Sequence, residues 1–311
     1  MSDVKINSLE SIKITTEDKE VKRAYALFLG CTIPVRAQNY EISTRKVAEK
    51  LGIELRHIDN FTCCGYPAGS VDFEGSQLMS ARNLALAEKE GFDICTICTA
   101  CTGVLTETAL ELAHNERFRE NINQKLASIG LHLEGKVRVK HFARILIEEV
   151  GEEKIKSLIK KPLSDIRIAA HYGCHYLKPT SIYENFDSAE NPTSLDHLIK
   201  ITGAESVDYL DKMHCCGGAL LAVNETLALK ISRKKLDALK EHIDAIVLIC
   251  PFCSVMYESN QKKIETTFNT QYNIPVLFYP QLLGLAMGMN PQELGFQMNR
   301  VKPKKILEKI S

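Results

Sequence analysis

The sequence predicts an α/β protein made of two tandem, similar Rossmann-like domains, each with a parallel sheet. Two observations lead to this prediction: short apolar segments alternate with helical segments along the 311 residues, and the whole order occurs twice. Cysteines mark the repeat, because Cys63-Cys64 and Cys215-Cys216 lie 152 positions apart and 33 residues separate each pair from a following Cys-x-x-Cys. Strands that alternate with helices form parallel sheets with right-handed crossovers.

Each half contains four predicted strands, and each strand is followed by a predicted helix. Gly52, Gly91 and Gly203 are expected to end helices, because glycine readily takes the left-handed conformation found there. The predicted strands are 25–29, 53–58, 92–97 and 137–142, then 166–172, 206–210, 245–249 and 274–279; the predicted helices are 40–51, 76–90, 102–119 and 143–150, then 194–202, 219–242, 252–268 and 281–287.

The domain boundaries follow from composition. We expect no membrane span, because Pro275 and Pro280 interrupt the long uncharged run 266–292. The expected organisation is an N-terminal extension (1–21), a first domain (22–150), a charged linker (151–164), a second domain (165–291) and a C-terminal tail (292–311). The Lys-rich part of the tail, from residue 298, is expected to pack weakly or to dock on another surface.

Charge and cysteine content limit the function classes. Lys plus Arg and Asp plus Glu both total 39, so no net charge favours binding to nucleic acid or an anionic membrane. Eleven cysteines are too sparse for a disulfide scaffold, and the first 20 residues lack the apolar core of a signal peptide. We therefore expect reduced thiols and a cytoplasmic location.

Ten of the eleven cysteines fall into two sets of five, each placed just after the carboxyl ends of predicted strands. Ligands bind at this edge of a parallel sheet, so each set is expected to converge there. Gly65, Gly217 and Gly218 follow the paired cysteines and would let the backbone approach a ligand closely. Helices that begin at Cys98 and Cys250 would direct free N–H groups at thiolate charge.

Three kinds of site could use these thiols. Zinc takes four ligands, and adjacent cysteines fit poorly into one tetrahedron. A redox-active dithiol would account for Cys98-x-x-Cys101 but not for Cys31 or Cys174. Iron and sulfide are soft partners suited to all-thiolate sites, although a cubane cluster needs four cysteines and spacing alone assigns no role to the fifth.

The cysteine pattern resembles a known family. The order Cys-x31-Cys-Cys-x33-Cys-x-x-Cys, then Cys-x40-Cys-Cys-x33-Cys-x-x-Cys, is similar to the duplicated CCG domain of the heterodisulfide reductase B subunit over about residues 22–291. Lactate- and glycolate-oxidising systems, thiol:fumarate reductase and a class of succinate dehydrogenase contain relatives of this domain. The gap of 40 residues is longer than is usual in the family and affects the loop 175–193.

The resemblance implies that each set of five holds a noncubane [4Fe-4S] cluster, at which the mixed disulfide of coenzyme M and coenzyme B is reduced to two thiols in methanogenesis. It implies further that electrons arrive from a small C-type subunit with ordinary [4Fe-4S] clusters and from a flavin-containing A-type subunit, with hydrogenase or formate dehydrogenase as further partners. The implied ligands are Cys31, Cys63, Cys64, Cys98 and Cys101 for one cluster, and Cys174, Cys215, Cys216, Cys250 and Cys253 for the other.

Four polar residues near these cysteines are candidates for substrate binding. An anionic substrate needs cations, and a disulfide that leaves as two thiolates needs protons. These candidates are His214, His175, Lys212 and Lys178. We interpret His171 and His141 as core histidines and Cys95 as a packed thiol, with solvated loop charges as the structural alternative for the four candidates.

Two function classes remain open. The first is a catalytic disulfide reductase subunit, favoured because both copies keep all five cysteines. The second is an iron–sulfur electron-relay subunit of a lactate-, glycolate- or succinate-oxidising complex. The sequence has no Cys-x2-Cys-x2-Cys-x3-Cys-Pro run, Walker loop or Gly-x-Gly-x-x-Gly motif, so either function needs a partner protein.

Overall fold

Two four-stranded parallel sheets form the framework of the protein, which confirms the predicted fold class. The computed structural model describes residues 23–310, so the expected extension 1–21 lies outside the described residues. The first sheet has the spatial order β2-β1-β3-β4 and the second the order β6-β5-β7-β8. The strands are β1 (Arg23–Phe28), β2 (Ile53–Arg56), β3 (Asp93–Thr96), β4 (Val139–His141), β5 (Arg167–His171), β6 (Glu205–Val207), β7 (Ala245–Leu248) and β8 (Val276–Phe278).

The register of the two sheets shows which positions are equivalent. Phe28 pairs with Thr96 across β1 and β3, and His171 pairs with Leu248 across β5 and β7. Thr96 and Leu248 differ by the 152 residues that separate the two cysteine pairs. Phe28 and His171 therefore occupy the same place at the ends of their central strands.

Capping side chains set the helix limits in the first half. The predicted helix 102–119 is two helices, because Asn115 ends the first and its side chain accepts a hydrogen bond from the backbone N–H of Phe118 to begin the second. Gly52, with φ of 76°, ends the second helix as predicted. These helices are α1 (Ile33–Arg36), α2 (Gln38–Leu51), α3 (Phe73–Lys89), α4 (Thr99–His114), α5 (Glu116–Ala127) and α6 (Phe142–Ile145).

In the second half, two predicted helices differ from the prediction: one is shorter and one is divided. The helix predicted at 219–242 begins only at Glu225, because Asn224 accepts from the N–H of Leu227 and caps it there. The helix predicted at 252–268 is divided by a π-helical turn, Val255–Ser259. The helices are α7 (Glu152–Ser157), α8 (Ser194–Ile201), α9 (Glu225–Leu239), α10 (Pro251–Ser254), α11 (Gln261–Phe268), α12 (Tyr279–Ala286) and α13 (Lys304–Ile310).

The two halves pack against each other through α2 and α12. The ring of Tyr40 stacks on that of Phe278 with centroids 4.0 Å apart, and both side chains are buried. The C-terminal segment strengthens this junction, since buried Asn299 accepts a hydrogen bond from Asn39 on α2 and donates one to the carbonyl of Val276 in the second half. For the part from residue 298, the structure agrees with docking on another surface and not with weak packing, because Ile306 is also fully buried.

Candidate functional site

All ten cysteines of the two sets lie just beyond the carboxyl ends of strands, and each predicted set of five comes together in space. In the first half, contacts link Cys31 to Cys63, Cys63 to Cys64, Cys64 to Cys101 and Cys101 to Cys98. The Sγ atoms of Cys31 and Cys63 are 4.0 Å apart. All are free thiols in the structure.

The second half repeats this chain of contacts. Cys174 contacts Cys215, Cys215 contacts Cys216, Cys216 contacts Cys253 and Cys253 contacts Cys250. All are free thiols, and Cys174 and Cys215 are exposed whereas the other three are buried. Each set therefore has an exposed edge and a buried base.

The two sets meet at their buried bases. The side chain of Cys98 contacts that of Cys250, although these residues belong to different sets. Each is the N-cap residue of its helix, so both helices begin at these cysteines as predicted. The sites are thus neighbours across the junction of the halves.

Glycines after the cysteine pairs bring backbone N–H groups to the sulfurs. The N–H of Gly65 lies 3.5 Å from Cys63 Sγ, and that of Gly217 lies 3.3 Å from Cys215 Sγ. Both glycines have positive φ, and a Cβ atom would lie 2.5 Å and 2.7 Å, respectively, from a backbone oxygen of the following helix. Only glycine fits these turns without strain.

Crowding of the thiols shapes their ionisation. The hydrogen bond with Cys64 raises the pKa of Cys101 well above its usual value, with Cys98 and burial acting in the same direction. Contact with Cys216, contact with Cys250 and burial likewise raise the pKa of Cys253. Because neighbouring thiolates repel one another, five of them can ionise together only around compensating positive charge.

An iron–sulfur core fits this donor set. Iron supplies the positive charge, and sulfur is the ligand that such clusters use. The hydroxyl of buried Tyr257 has no hydrogen-bond partner, and its ring lies 4.9 Å from that of His171 beside the second set. A buried hydroxyl without a partner fits a neighbouring acceptor such as cluster sulfur. Among the described residues, no three Cys, His, Asp or Glu side chains form a site for a single metal ion.

A cavity of about 790 Å³ opens between the halves beside both sets. Tyr66 and Phe252 line this cavity and also a narrow cleft formed by Cys31, Cys64, Cys98 and Cys101 of the first set. Gly218 lines the opposite wall of the cavity. This wall is close to the second set, because a Cβ atom added at Gly218 would lie 3.3 Å from Cys216 Sγ. The cavity therefore lies beside both groups of cysteines, although none of the ten is among the residues that line it.

The predicted polar residues are placed differently from one another. His175 lines the cavity, where its Nε2 lies 3.0 Å from the hydroxyl of Tyr66. Lys178 is exposed and precedes Pro179, which lines the cavity wall. Lys212 lies in a separate groove, 2.6 Å from Asp196. His214 is half exposed, with Nδ1 2.9 Å from Asp211. All four remain predictions for substrate binding.

The buried histidines and Cys95 are satisfied by neighbouring groups. His141 is fully buried, its Nε2 lies 3.0 Å from the carbonyl of Ile249, and burial lowers its pKa to about 4. Cys95 is fully buried in β3, with the carbonyl of Thr96 3.9 Å from its sulfur. These positions agree with core packing.

His171 is buried as expected, but it contacts a predicted ligand. Its Nε2 lies 3.1 Å from Cys253 Sγ, and its Nδ1 lies 3.0 Å from Nζ of buried Lys235. Sequence reasoning missed Lys235 as well as the cavity residues Tyr66 and Phe252. Position 235 lies on the face of α9 whose helical spacing predicts burial. A lysine at a position predicted to be buried could have been singled out as a candidate functional residue.

Comparison with known proteins identifies the family. The model of the CCG cysteine-rich domain matches twice, over residues 25–106 and 168–258, which together exceed half of the chain. This chain belongs to the CCG cysteine-rich domain family. The repeat predicted from the cysteine spacing is therefore a family property.

Relatives in the CCG family have several described roles. The B subunit of the ferredoxin/F420H2-dependent CoB-CoM heterodisulfide reductase of Methanosarcina acetivorans is 37% identical, over 92% of this chain and 96% of its own length. The 8-methylmenaquinol:fumarate reductase membrane anchor subunit of Wolinella succinogenes is 33% identical, over 92% of this chain and all of its own. An uncharacterized iron–sulfur protein of Methanocaldococcus jannaschii is 25% identical, and this chain covers 46% of it.

A solved structure supports the fold of this CCG protein. The crystal structure of a hypothetical protein from Helicobacter pylori superposes with a TM-score of 0.72 at 20% identity. The match covers 90% of this chain but 52% of the other, so this chain spans about half of that protein. Between residues 23 and 310, no helix is long and apolar enough to cross a membrane.

Proposed function

We propose that the chain is the catalytic subunit of a CoB-CoM heterodisulfide reductase and reduces the mixed disulfide of coenzyme M and coenzyme B to two thiols. The observation that supports this most strongly is the pair of complete five-cysteine sets, joined at Cys98 and Cys250 and lying beside one cavity. A disulfide has two sulfur atoms, so two adjoining sites are suited to receive one each. The relative that is 37% identical has a corresponding role by its name.

The cofactors would be two noncubane [4Fe-4S] clusters, one held by each set. When bound, they would supply iron that binds sulfur and the two electrons that the reaction requires. The overall change is RS–SR′ plus two electrons and two protons to RSH and R′SH. The proposed ligands are Cys31, Cys63, Cys64, Cys98 and Cys101 in the first half, and Cys174, Cys215, Cys216, Cys250 and Cys253 in the second.

The cavity side chains would orient the disulfide. Tyr66 and Phe252 form aromatic walls beside the first set, with ring centroids 6.2 Å apart, and exclude water from that side. Among the described residues that line the cavity there is no lysine or arginine. The anionic ends of the substrate would therefore lie toward the rim, near exposed Lys178.

Electrons for the reaction would come from the other proteins of a multisubunit complex. We propose as partners a small [4Fe-4S] protein, the C-type subunit, and a flavoprotein, the A-type subunit, with a hydrogenase or formate dehydrogenase as the source. A second function, electron relay in a lactate-, glycolate- or succinate-oxidising complex, is favoured by the Wolinella fumarate reductase relative. Copurification distinguishes the two, since the flavoprotein partner differs.

Anaerobic purification followed by iron and sulfide analysis tests the proposal. We expect enough iron and sulfide for two four-iron clusters in each chain, and reduction of the CoM-CoB disulfide with an artificial one-electron donor. Full cluster content without any disulfide reduction would favour the relay function. A colourless protein that contains zinc would contradict both.

We expect His175→Gln to weaken substrate binding more than catalysis. The His175 side chain lines the cavity and is held by the hydroxyl of Tyr66, so it can donate a hydrogen bond to a substrate oxygen. Loss of one such bond costs about 1 kcal/mol, or roughly a fivefold rise in KM. Steady-state kinetics measure this change. His114→Gln is the matched control, because His114 is exposed at the end of α4, 2.8 Å from the carbonyl of Leu110, and is not among the residues that line the cavity; an equal change in both variants would contradict a role in binding.

A further inference from the structure

A buried lysine stands behind the cysteines of the second half. Lys235, on α9, is 1% exposed, and its Nζ lies 3.0 Å from His171 Nδ1 and 2.8 Å from the carbonyl oxygen of Lys212. The hydroxyl of Tyr209 is 3.5 Å away. Burial lowers the pKa of Lys235 to about 8, so the ammonium form still predominates at pH 7. A cation is thus enclosed in the core of this half.

The lysine fixes the direction of the hydrogen bonds. An ammonium group only donates, so His171 Nδ1 must accept from it and the ring proton must be on Nε2. Nε2 lies 3.1 Å from Cys253 Sγ, and the imidazole therefore donates an N–H to this sulfur. Lys235 therefore orients the His171 ring. It also places a positive charge near the proposed ligand Cys253, with only this ring between them.

The first half has no equivalent arrangement. Phe28 takes the place of His171, and its ring packs on Phe61 with centroids 5.1 Å apart. Asn83 takes the place of Lys235 at the offset of 152 residues, and its amide bonds with the backbone of residues 62, 63 and 79. Among residues 23–310, Cys101, which corresponds to Cys253, therefore has neither an imidazole N–H from the central strand nor a cation in the place of Lys235.

We propose that Lys235, acting through His171, makes the iron–sulfur centre of the second half easier to reduce than that of the first. This inference rests on the proposed function, because it assumes that both sets hold such a centre. Positive charge and hydrogen bonds to ligand sulfur stabilise the more negative, reduced state and so raise a cluster's reduction potential. The electron that enters the protein first resides in the second half.

An anaerobic redox titration of the full chain, followed by electron paramagnetic resonance, tests the proposal. Each centre takes one electron from the added reductant, and no bond is made or broken. We expect two separate one-electron waves. In Lys235→Met the wave at higher potential shifts downward until the ratio of its reduced to its oxidised form at a fixed potential falls about tenfold, which corresponds to about 59 mV. The other wave stays in place, and Lys230→Met, which removes an exposed charge from the same helix, shifts neither.

The outcomes separate this inference from the proposed function. Coincident waves in the unmodified protein, or a Lys235→Met variant with full iron content and unshifted waves, overturn it. If Lys235→Met fails to retain its iron, His171→Phe supplies the test, because it installs the side chain found at Phe28 and should cause the same downward shift. Absence of iron from the unmodified protein contradicts the proposed function instead.

Discussion

Cys64→Ser is expected to remove the iron–sulfur centre of the first half and to abolish disulfide reduction. Cys64 is 2% exposed and contacts both Cys63 and Cys101, so it lies in the middle of its set. A serine hydroxyl is a harder ligand that binds iron less well than a thiolate does. We expect iron and sulfide to fall by about half, since the second set is unchanged. Chemical analysis and the disulfide assay measure both effects.

The repeat and the eleventh cysteine supply the controls for this prediction. Cys216→Ser, at the equivalent position of the second half, should have the same effect on iron content and activity. Cys95→Ala should leave the iron content unchanged, because Cys95 is buried in β3 outside the set. Loss of half of the iron from Cys95→Ala, or full retention by Cys64→Ser, would overturn the assignment of ligands.

The sequence predicted the framework because its signals are local or strictly spaced. Short apolar strands are bounded by glycine and cysteine motifs, and the identical 33-residue gaps revealed the duplication. Once parallel strands are inferred, the position of the cysteines at their carboxyl ends follows from topology. The glycines after the cysteine pairs were expected to let the backbone come close to a ligand, and Gly65 and Gly217 have positive φ in the structure.

Features that depend on distant neighbours were beyond the sequence. The contact between Cys98 and Cys250 requires the packing of two halves, and nothing in either motif specifies it. The cavity walls at Tyr66 and Phe252 come from opposite halves for the same reason. The predicted helix limits were wrong where a polar side chain caps a helix within a continuous helical pattern of apolar residues. Asn115 does this at the start of α5.

The duplication also explains why only part of the site is symmetric. Ser80 and Ser232 donate to the carbonyls of Cys64 and Cys216, respectively, so the backbone supports of the two sets have stayed alike. The side chains behind the cysteines have diverged, since Phe28 occupies in the first half the position that His171 occupies in the second. A symmetric pair of ligand sets with unequal surroundings suits a reaction in which two electrons arrive one at a time.

Ala219→Phe is expected to impair disulfide reduction without removing either centre. Ala219 is exposed on the cavity wall, so a larger side chain there fills substrate space without entering the core. Overfilling of a packed site typically costs about 1–3 kcal/mol, so kcat/KM should fall roughly tenfold or more. Iron content and reduction of the centres by a small donor should not change.

The matched control is Ala127→Phe, which places the same side chain on an exposed position at the end of α5. Its kcat/KM should equal that of the unmodified protein. If Ala219→Phe also retains full activity, the disulfide does not occupy this cavity. Substrate would then have to reach the cysteines by another route, at the exposed Cys31 and Cys174. Disulfide reduction would then remain the activity of this chain, but its substrate site would be at the exposed cysteines and not in the cavity.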